Sequence, residues 1–107
     1  MKRGDLVTVA LPGDYGKPRP AVVVQSDLFA EHPSVTILPV TGELREGLFF
    51  RIDLKPSSTN GLKEPCQVMT DKIMTVPREK VGNVFGHLDS EVMTVINRVL
   101  VVFLGFA

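Results

Sequence analysis

Three polar residues stand where apolar runs begin or end: Arg19 in "KPRPAVVVQ", Thr41 in "ILPVTGE" and Asp71 in "CQVMTDK". Their types carry chemistry. A guanidinium stays charged at every working pH and grips the oxygens of an anion in a planar fork. A hydroxyl donates to such an oxygen or orients a second hydroxyl. A carboxylate takes up and returns a proton. Each residue also has a plainer reading. Arg19 could pair with Asp14 at the surface, Thr41 could start a turn before Gly42, and Asp71-Lys72 could be a hairpin tip. The setting of Arg19 is unusual, because Pro18 and Pro20 stiffen the chain on both sides of it.

No standard catalytic motif accompanies these residues. The chain has no HExxH, no P-loop and no GxSxG. Its two histidines, His32 and His87, lie far apart and read as ordinary surface residues, so no metal ligation is expected. Cys66 is the only cysteine, which allows neither an internal disulfide nor a cysteine metal cluster and suits a cytoplasmic protein.

Length and composition limit what can position the three residues. A chain of 107 residues is enough for one domain over 1–107 with one core. Hydrophobic residues make up 44%, which indicates a folded chain rather than disorder. Lys plus Arg equals Asp plus Glu at 12 each, so bulk attraction does not coat duplex nucleic acid with this protein, and any nucleic-acid site must be local. The most apolar segment, "VLVVFLGFA", has nine residues, well short of the ~20 that span a bilayer. Asp5 interrupts the basic N-terminus before any long apolar run, so no signal peptide is expected.

The elements follow from local pattern. "LVTVAL" (6–11) reads as a first strand stopped by Pro-Gly, and the loop to Pro20 takes its shape from three prolines and two glycines. "AVVVQ" (21–25) is a continuous apolar run suited to a strand covered on both faces. "SDLFAEHPS" predicts one short capped turn. "VTILPV" (35–40) predicts a third strand with a bulge or edge at Pro39. "LFFRIDL" (48–54) reads as a strand with Arg51 and Asp53 facing solvent. "CQVMT", "IMTV" and "NVFGHL" predict further short strands. From Asp89 the period becomes helical, with Val92, Val95, Ile96, Val99 and Phe103 in step and Gly105 as a stop. The helix turns apolar all round from Val99 to Leu104, and a second copy of the chain is the expected cover. The expected fold is mostly β with α: a small, strongly bent antiparallel β-barrel of five to seven strands, closed by the C-terminal helix.

The order "KRGDLVTVAL", a Gly/Pro loop, "PRPAVVVQSD", "ILPVTG", "QVMTDKIMTVP" and a C-terminal helix resembles the MazF/Kid (PemK-like) toxin superfamily over nearly the whole chain. That resemblance implies an SH3-like plug acting as a homodimer, the toxin of a type II toxin–antitoxin pair. It implies sequence-specific, metal-independent cleavage of single-stranded RNA, neutralised by a small cognate antitoxin protein. It assigns Arg19 to charge stabilisation at the phosphate, Thr41 to a phosphate oxygen or the 2′-hydroxyl, and Asp71 to proton transfer. Tyr15, Lys17, Gly42 and Lys72 become candidate RNA contacts, with base choice resting on the loops at 12–18 and 42–47. Two departures stand out. The Kid branch has an arginine two residues before its aspartate, where this chain has Met69, and its first-loop histidine is missing. "VVVQSDLF", "VMTDKIMTVPREKVG" and "INRVLVVFLGFA" also resemble the CcdB branch, whose members share the fold and poison DNA gyrase through an aromatic-Gly-apolar tail. The chain has no Trp, and its tail reads Leu104-Gly105-Phe106-Ala107. The gyrase poison is therefore the alternative reading.

Overall fold

The structure, a computed structural model, describes residues 1–11, 13 and 17–106. β-branched residues dominate its strands, as their preference for a pleated, half-buried surface requires. The strands are β1 (Asp5–Ala10), β2 (Pro18–Val23), β3 (Ser34–Thr41), β4 (Arg51–Leu54), β5 (Cys66–Met69), β6 (Met74–Pro77) and β7 (Val81–His87), and one helix follows, α1 (Ser90–Phe103). Every pairing is antiparallel. The order is β4-β5-β3-β2-β1-β7, with β6 on β3. The strand count is at the upper end of the expectation, and the sheet stays open, because β4 and β7 do not pair with each other. Register shifts on β1 between Leu6 and Val7 and between Val7 and Val9 bend it against β7.

Alternate residues of the central strands feed two cores. Leu6, Val22, Leu38 and Val40 point to one face, where Val68, Met93, Ile96 and Leu100 meet them. Val7, Val9, Ala21, Val23, Val35 and Ile37 point to the other and meet Val76 of β6. The apolar run at Ala21 is thus covered on both sides, as its pattern predicts. Each such fully buried side chain contributes about 1.5–3 kcal/mol relative to exposure.

The short capped turn expected after β2 forms, a 3-10 turn over Asp27–Phe29 with the Ser26 hydroxyl accepting from the Leu28 N–H at 3.2 Å. β3 runs through Pro39 to Thr41 without a bulge, but its pairing with β2 ends at Pro39, the expected edge. Other local expectations change. β2 begins at Pro18, ahead of the apolar run, and ends at Val23. β4 is shorter than expected, and Arg51 does not face solvent. Its Nη1 donates to the Glu43 carbonyl and to Gln67 Oε1, both at 3.0 Å. Asp71-Lys72 is not a hairpin tip. β5 and β6 both pair with β3, and a 3-10 turn over Thr70–Lys72 carries the chain between them. Helix α1 ends as the glycine predicts. Gly105 has φ +80°, its N–H reaches the Val102 carbonyl, and the Phe106 N–H reaches that of Val101, the two bonds of a Schellman end. Along the expected all-round apolar segment, Val99 and Leu100 are buried within the chain, while Val102 is 56% and Phe103 43% exposed.

Gly4-Asp5 proves to be a structural joint. Gly4 has φ +93°, open to glycine with no Cβ penalty, and donates to the Val23 carbonyl at 2.8 Å. The Asp5 side chain is buried. Its Oδ2 accepts from the Lys2 N–H at 2.7 Å, and its Oδ1 pairs with His87 Nδ1 at 2.9 Å. His87 is therefore not an ordinary surface histidine: it ties the end of β7 to the start of β1. Burial alone would raise the Asp5 pKa, but the bonds from His87 and from the Lys2 backbone outweigh it and leave the carboxyl below its ordinary value. A carboxylate with a depressed folded pKa adds stability that is present above its unfolded value and lost as pH falls through the folded one. Wild-type protein should therefore lose stability below about pH 4 more steeply than Asp5→Asn, which should be weaker by about 1–3 kcal/mol at neutral pH. Urea melts over a pH series check this, and equal acid slopes would contradict it.

Candidate functional site: a cleft where the β2–β3 ladder stops

The β2–β3 ladder pairs Val23 with Ile37, Val22 with Leu38 and Ala21 with Pro39. Carried two residues further, that register sets Arg19 across from Thr41. The next pair in which β2 would donate to β3 is Pro20 with Val40, and Pro20 has no N–H, so the ladder stops there. On its other side β2 stays in register with β1, Arg19 opposite Val9 and Pro18 opposite Ala10, so the arginine sits on a held strand end. Between the two strand ends lies a cleft of about 380 Å³, lined by Leu11, Arg19, Pro20, Pro39, Val40, Thr41, Gly42, Glu43 and Met69. Its lining combines apolar residues with Arg19, Thr41 and Glu43. Thr41 Oγ1 accepts from the Glu43 N–H at 3.0 Å, which leaves its own proton to donate.

The candidate residues divide accordingly. Arg19, Thr41 and Gly42 come together around the cleft, and Lys17 is exposed immediately before β2. Tyr15 lies outside the described residues. Asp71 and Lys72 follow Met69 on the Thr70–Lys72 turn and do not line the cleft. That turn is fixed by Thr70, whose N–H and hydroxyl both donate to the Phe50 carbonyl, at 3.1 and 2.6 Å. Asp71 Oδ2 stands 4.0 Å from Lys72 Nζ. Its Oδ1 is buried with no hydrogen-bond partner among the described residues. Met69, at the position of the Kid-branch arginine, gives the cleft an apolar wall.

Sequence reasoning missed the groups that hold the loop after β3. Gln67 of β5 is buried, and four hydrogen bonds satisfy it. Its Oε1 accepts from the Arg45 N–H and from Arg51 Nη1, and its Nε2 donates to the Arg45 carbonyl and to Asp53 Oδ1. The available signal was a glutamine inside the apolar strand "CQVM", since a polar side chain in a core strand must find partners. On the far side of this loop runs a second groove of about 470 Å³, with Arg45, Arg51, Asp53, Cys66 and Gln67 among its lining residues. Burial, with Glu64 nearby, pushes the Cys66 thiol up, which keeps it a protonated thiol rather than a nucleophile.

The chain is similar to known proteins over nearly its whole length. The family model of the PemK-like, MazF-like toxins of type II toxin–antitoxin systems matches residues 2–104. A curated protein of Mycolicibacterium smegmatis, described as a probable endoribonuclease MazF, is 40% identical over all of this chain and 99% of its own length. Among solved structures, a mycobacterial endoribonuclease in complex with its cognate antitoxin superposes with a TM-score of 0.82 at 22% identity, covering 100% of this chain and 97% of that one. A MazE–MazF complex from Deinococcus radiodurans gives 0.78 at 21% identity, covering 98% and 95%. These two structures bear on the fold alone. The gyrase-poison alternative gains no support from the matches. With the family model and the curated relative both spanning nearly its full length, this chain belongs to the PemK-like, MazF-like toxins of type II toxin–antitoxin systems.

Proposed function

We propose that the chain, as a single toxin domain over residues 1–107, is a cytoplasmic, homodimeric endoribonuclease that cuts single-stranded RNA at the Arg19–Thr41 cleft and is restrained by a small antitoxin protein. One observation carries the reading. Arg19 and Thr41, assigned by resemblance to phosphate binding, line one cleft from two strands whose ladder has just ended. No helix among the described residues is long and apolar enough to cross a membrane.

The geometry fits cleavage by the RNA's own nucleophile. The 2′-oxygen bonds to phosphorus, the bond from phosphorus to the 5′-oxygen breaks, and a 2′,3′-cyclic phosphate remains. The 2′-proton must leave and the 5′-oxygen must gain one. Arg19 supplies a fixed fork to the charge that builds on the phosphorane, and a donor aimed at such charge is worth about 3–4 kcal/mol. The Thr41 hydroxyl, which accepts from Glu43, donates a hydrogen bond to a phosphate oxygen or orients the 2′-hydroxyl. Asp71 is the proton-transfer group of this reading, on the turn beyond Met69, a residue that can neither transfer a proton nor bind phosphate. Removing a group in that role costs about 10²–10⁴-fold.

The second copy has a surface to cover. Phe49 packs edge-on against Phe50 with centroids 6.3 Å apart, and Phe50 lies 6.1 Å from Phe103 at the end of α1. Phe49, Val102, Phe103 and Phe106 all remain exposed. Such a cluster of large apolar groups at one end of a small protein marks an interaction surface.

Purified protein should cleave single-stranded RNA in EDTA, leaving cyclic phosphate ends. Arg19→Ala should lower kcat/KM by roughly 100-fold or more while leaving Tm almost unchanged, because the residue is exposed. Cleavage that stops in EDTA and returns with magnesium, or a folded Arg19→Ala protein with full activity, would refute this.

The assembly is tested separately. The wild-type chain should sediment as a dimer at micromolar concentration, and Val102→Glu should give a folded monomer. Val99→Glu is the wrong probe, because Val99 belongs to the chain's own core. A wild-type chain that sediments as a monomer would remove the dimer.

A further inference from the structure

The Arg19–Thr41 cleft carries one charged residue to which the reading above gives no role. Glu43 lines it, where a negative charge would not help to bind a phosphate. The carboxylate is nonetheless held in place. Arg45 Nη2 bonds its Oε1 at 2.9 Å, and the Thr41 hydroxyl fixes its backbone N–H. The loop beneath is pinned by the buried Gln67, through both backbone groups of Arg45, and by Arg51 on the Glu43 carbonyl. A side chain that is 72% exposed is thus carried on a loop whose backbone is held at Glu43 and again at Arg45. Its bond from Arg45, with the charge of that guanidinium, keeps the Glu43 carboxyl below its ordinary pKa, so it is acceptor-only at neutral pH.

A carboxylate on a tethered backbone, beside apolar side chains, is equipped to read a base. Single-stranded RNA exposes its bases, which proteins stack on apolar or aromatic surfaces and read along their Watson–Crick edges. Leu11, Pro20 and Met69, all partly exposed, supply the surface. A carboxylate offers two neighbouring acceptors and needs two neighbouring donors. Guanine alone has them, in N1–H and the exocyclic amine. Cytosine and adenine each set a ring acceptor beside their amino donor, and uracil flanks N3–H with two carbonyl oxygens, so all three turn an acceptor toward the carboxylate.

We propose that Glu43 is a base-selecting residue of this ribonuclease, its carboxylate taking the Watson–Crick edge of a guanine stacked in the cleft beside the phosphate held by Arg19 and Thr41. The proposal rests on the ribonuclease reading given above. It assigns Arg45 and Gln67 as positioning residues, which act through Glu43 and not on the RNA.

The test is cleavage of a randomised single-stranded RNA pool followed by sequencing of the new ends. Wild-type ends should be enriched in guanine at one position flanking the cut. Glu43→Gln, whose amide replaces one acceptor by a donor, should lose that enrichment by roughly tenfold or more, the scale of one bidentate base contact. For the preferred sequence made with inosine at that position, which removes only the exocyclic amine, wild-type kcat/KM should fall while Glu43→Gln shows no such difference. Wild-type cleavage without flanking guanine, or guanine enrichment that survives Glu43→Gln, overturns the assignment and leaves the ribonuclease reading standing. A wild-type protein that cleaves nothing in the pool overturns both.

Discussion

Leu6, Val22 and Leu38 point to one side of the central sheet, and Val7, Ala21 and Ile37 to the other, and both sides are buried. This two-faced burial of β1, β2 and β3 is the constraint on which the rest depends. A one-residue slip of any central strand would exchange its two sets of side chains between cores of different shape, so the register is firmly fixed. α1 is needed to cover one face, and β6 to cover the other. Because β3 must serve β2 along one edge and β6 then β5 along the other, it is the longest strand, and its last residue, Thr41, is delivered to a defined place.

The cleft is a consequence of that register meeting a proline. Pro20 takes part in a strand but cannot donate toward β3, so the β2–β3 ladder ends while both chains continue. Arg19 and Thr41 are left facing one gap, on backbone still tied to β1 and β5. The arginine between two prolines is thereby explained: its strand is pre-set on one side and released on the other. Groups held this way bind at little ordering cost. Gln67 extends the same logic to the loop beyond Thr41, which has almost no buried side chains of its own and takes its shape from one buried amide.

Much of this was legible in the sequence, for physical reasons. Strand positions follow from β-branched runs, and the apolar run at Ala21 announced burial on both faces. The helix and its end at Gly105 follow from period and from a left-handed glycine. Arg19 and Thr41 were visible as polar residues at the mouths of apolar strands. The misses share a cause, which is that they depend on partners distant in sequence. Arg51 alternates correctly for a solvent-facing residue, yet Gln67, sixteen positions on, draws it inward. His87 reads as a surface histidine until β1 brings Asp5 beside it, 82 positions away in the chain. Val99 looked like part of an exposed apolar band because a periodic pattern does not show how far the sheet reaches along the helix. Asp71-Lys72 had the plain reading of a hairpin tip, but β5 and β6 both pair with β3 and a 3-10 turn joins them.

The central claim is that the scissile phosphate sits where the β2–β3 ladder stops. The most direct measurement is a crystal structure with a single-stranded RNA carrying a 2′-deoxy nucleotide at the cut, which removes the nucleophile and leaves the complex intact. The account predicts the scissile phosphate between Arg19 and Thr41, with both arginine nitrogens about 2.7–2.9 Å from its oxygens. A scissile phosphate seated instead in the neighbouring groove, on Arg45 and Arg51, would contradict it.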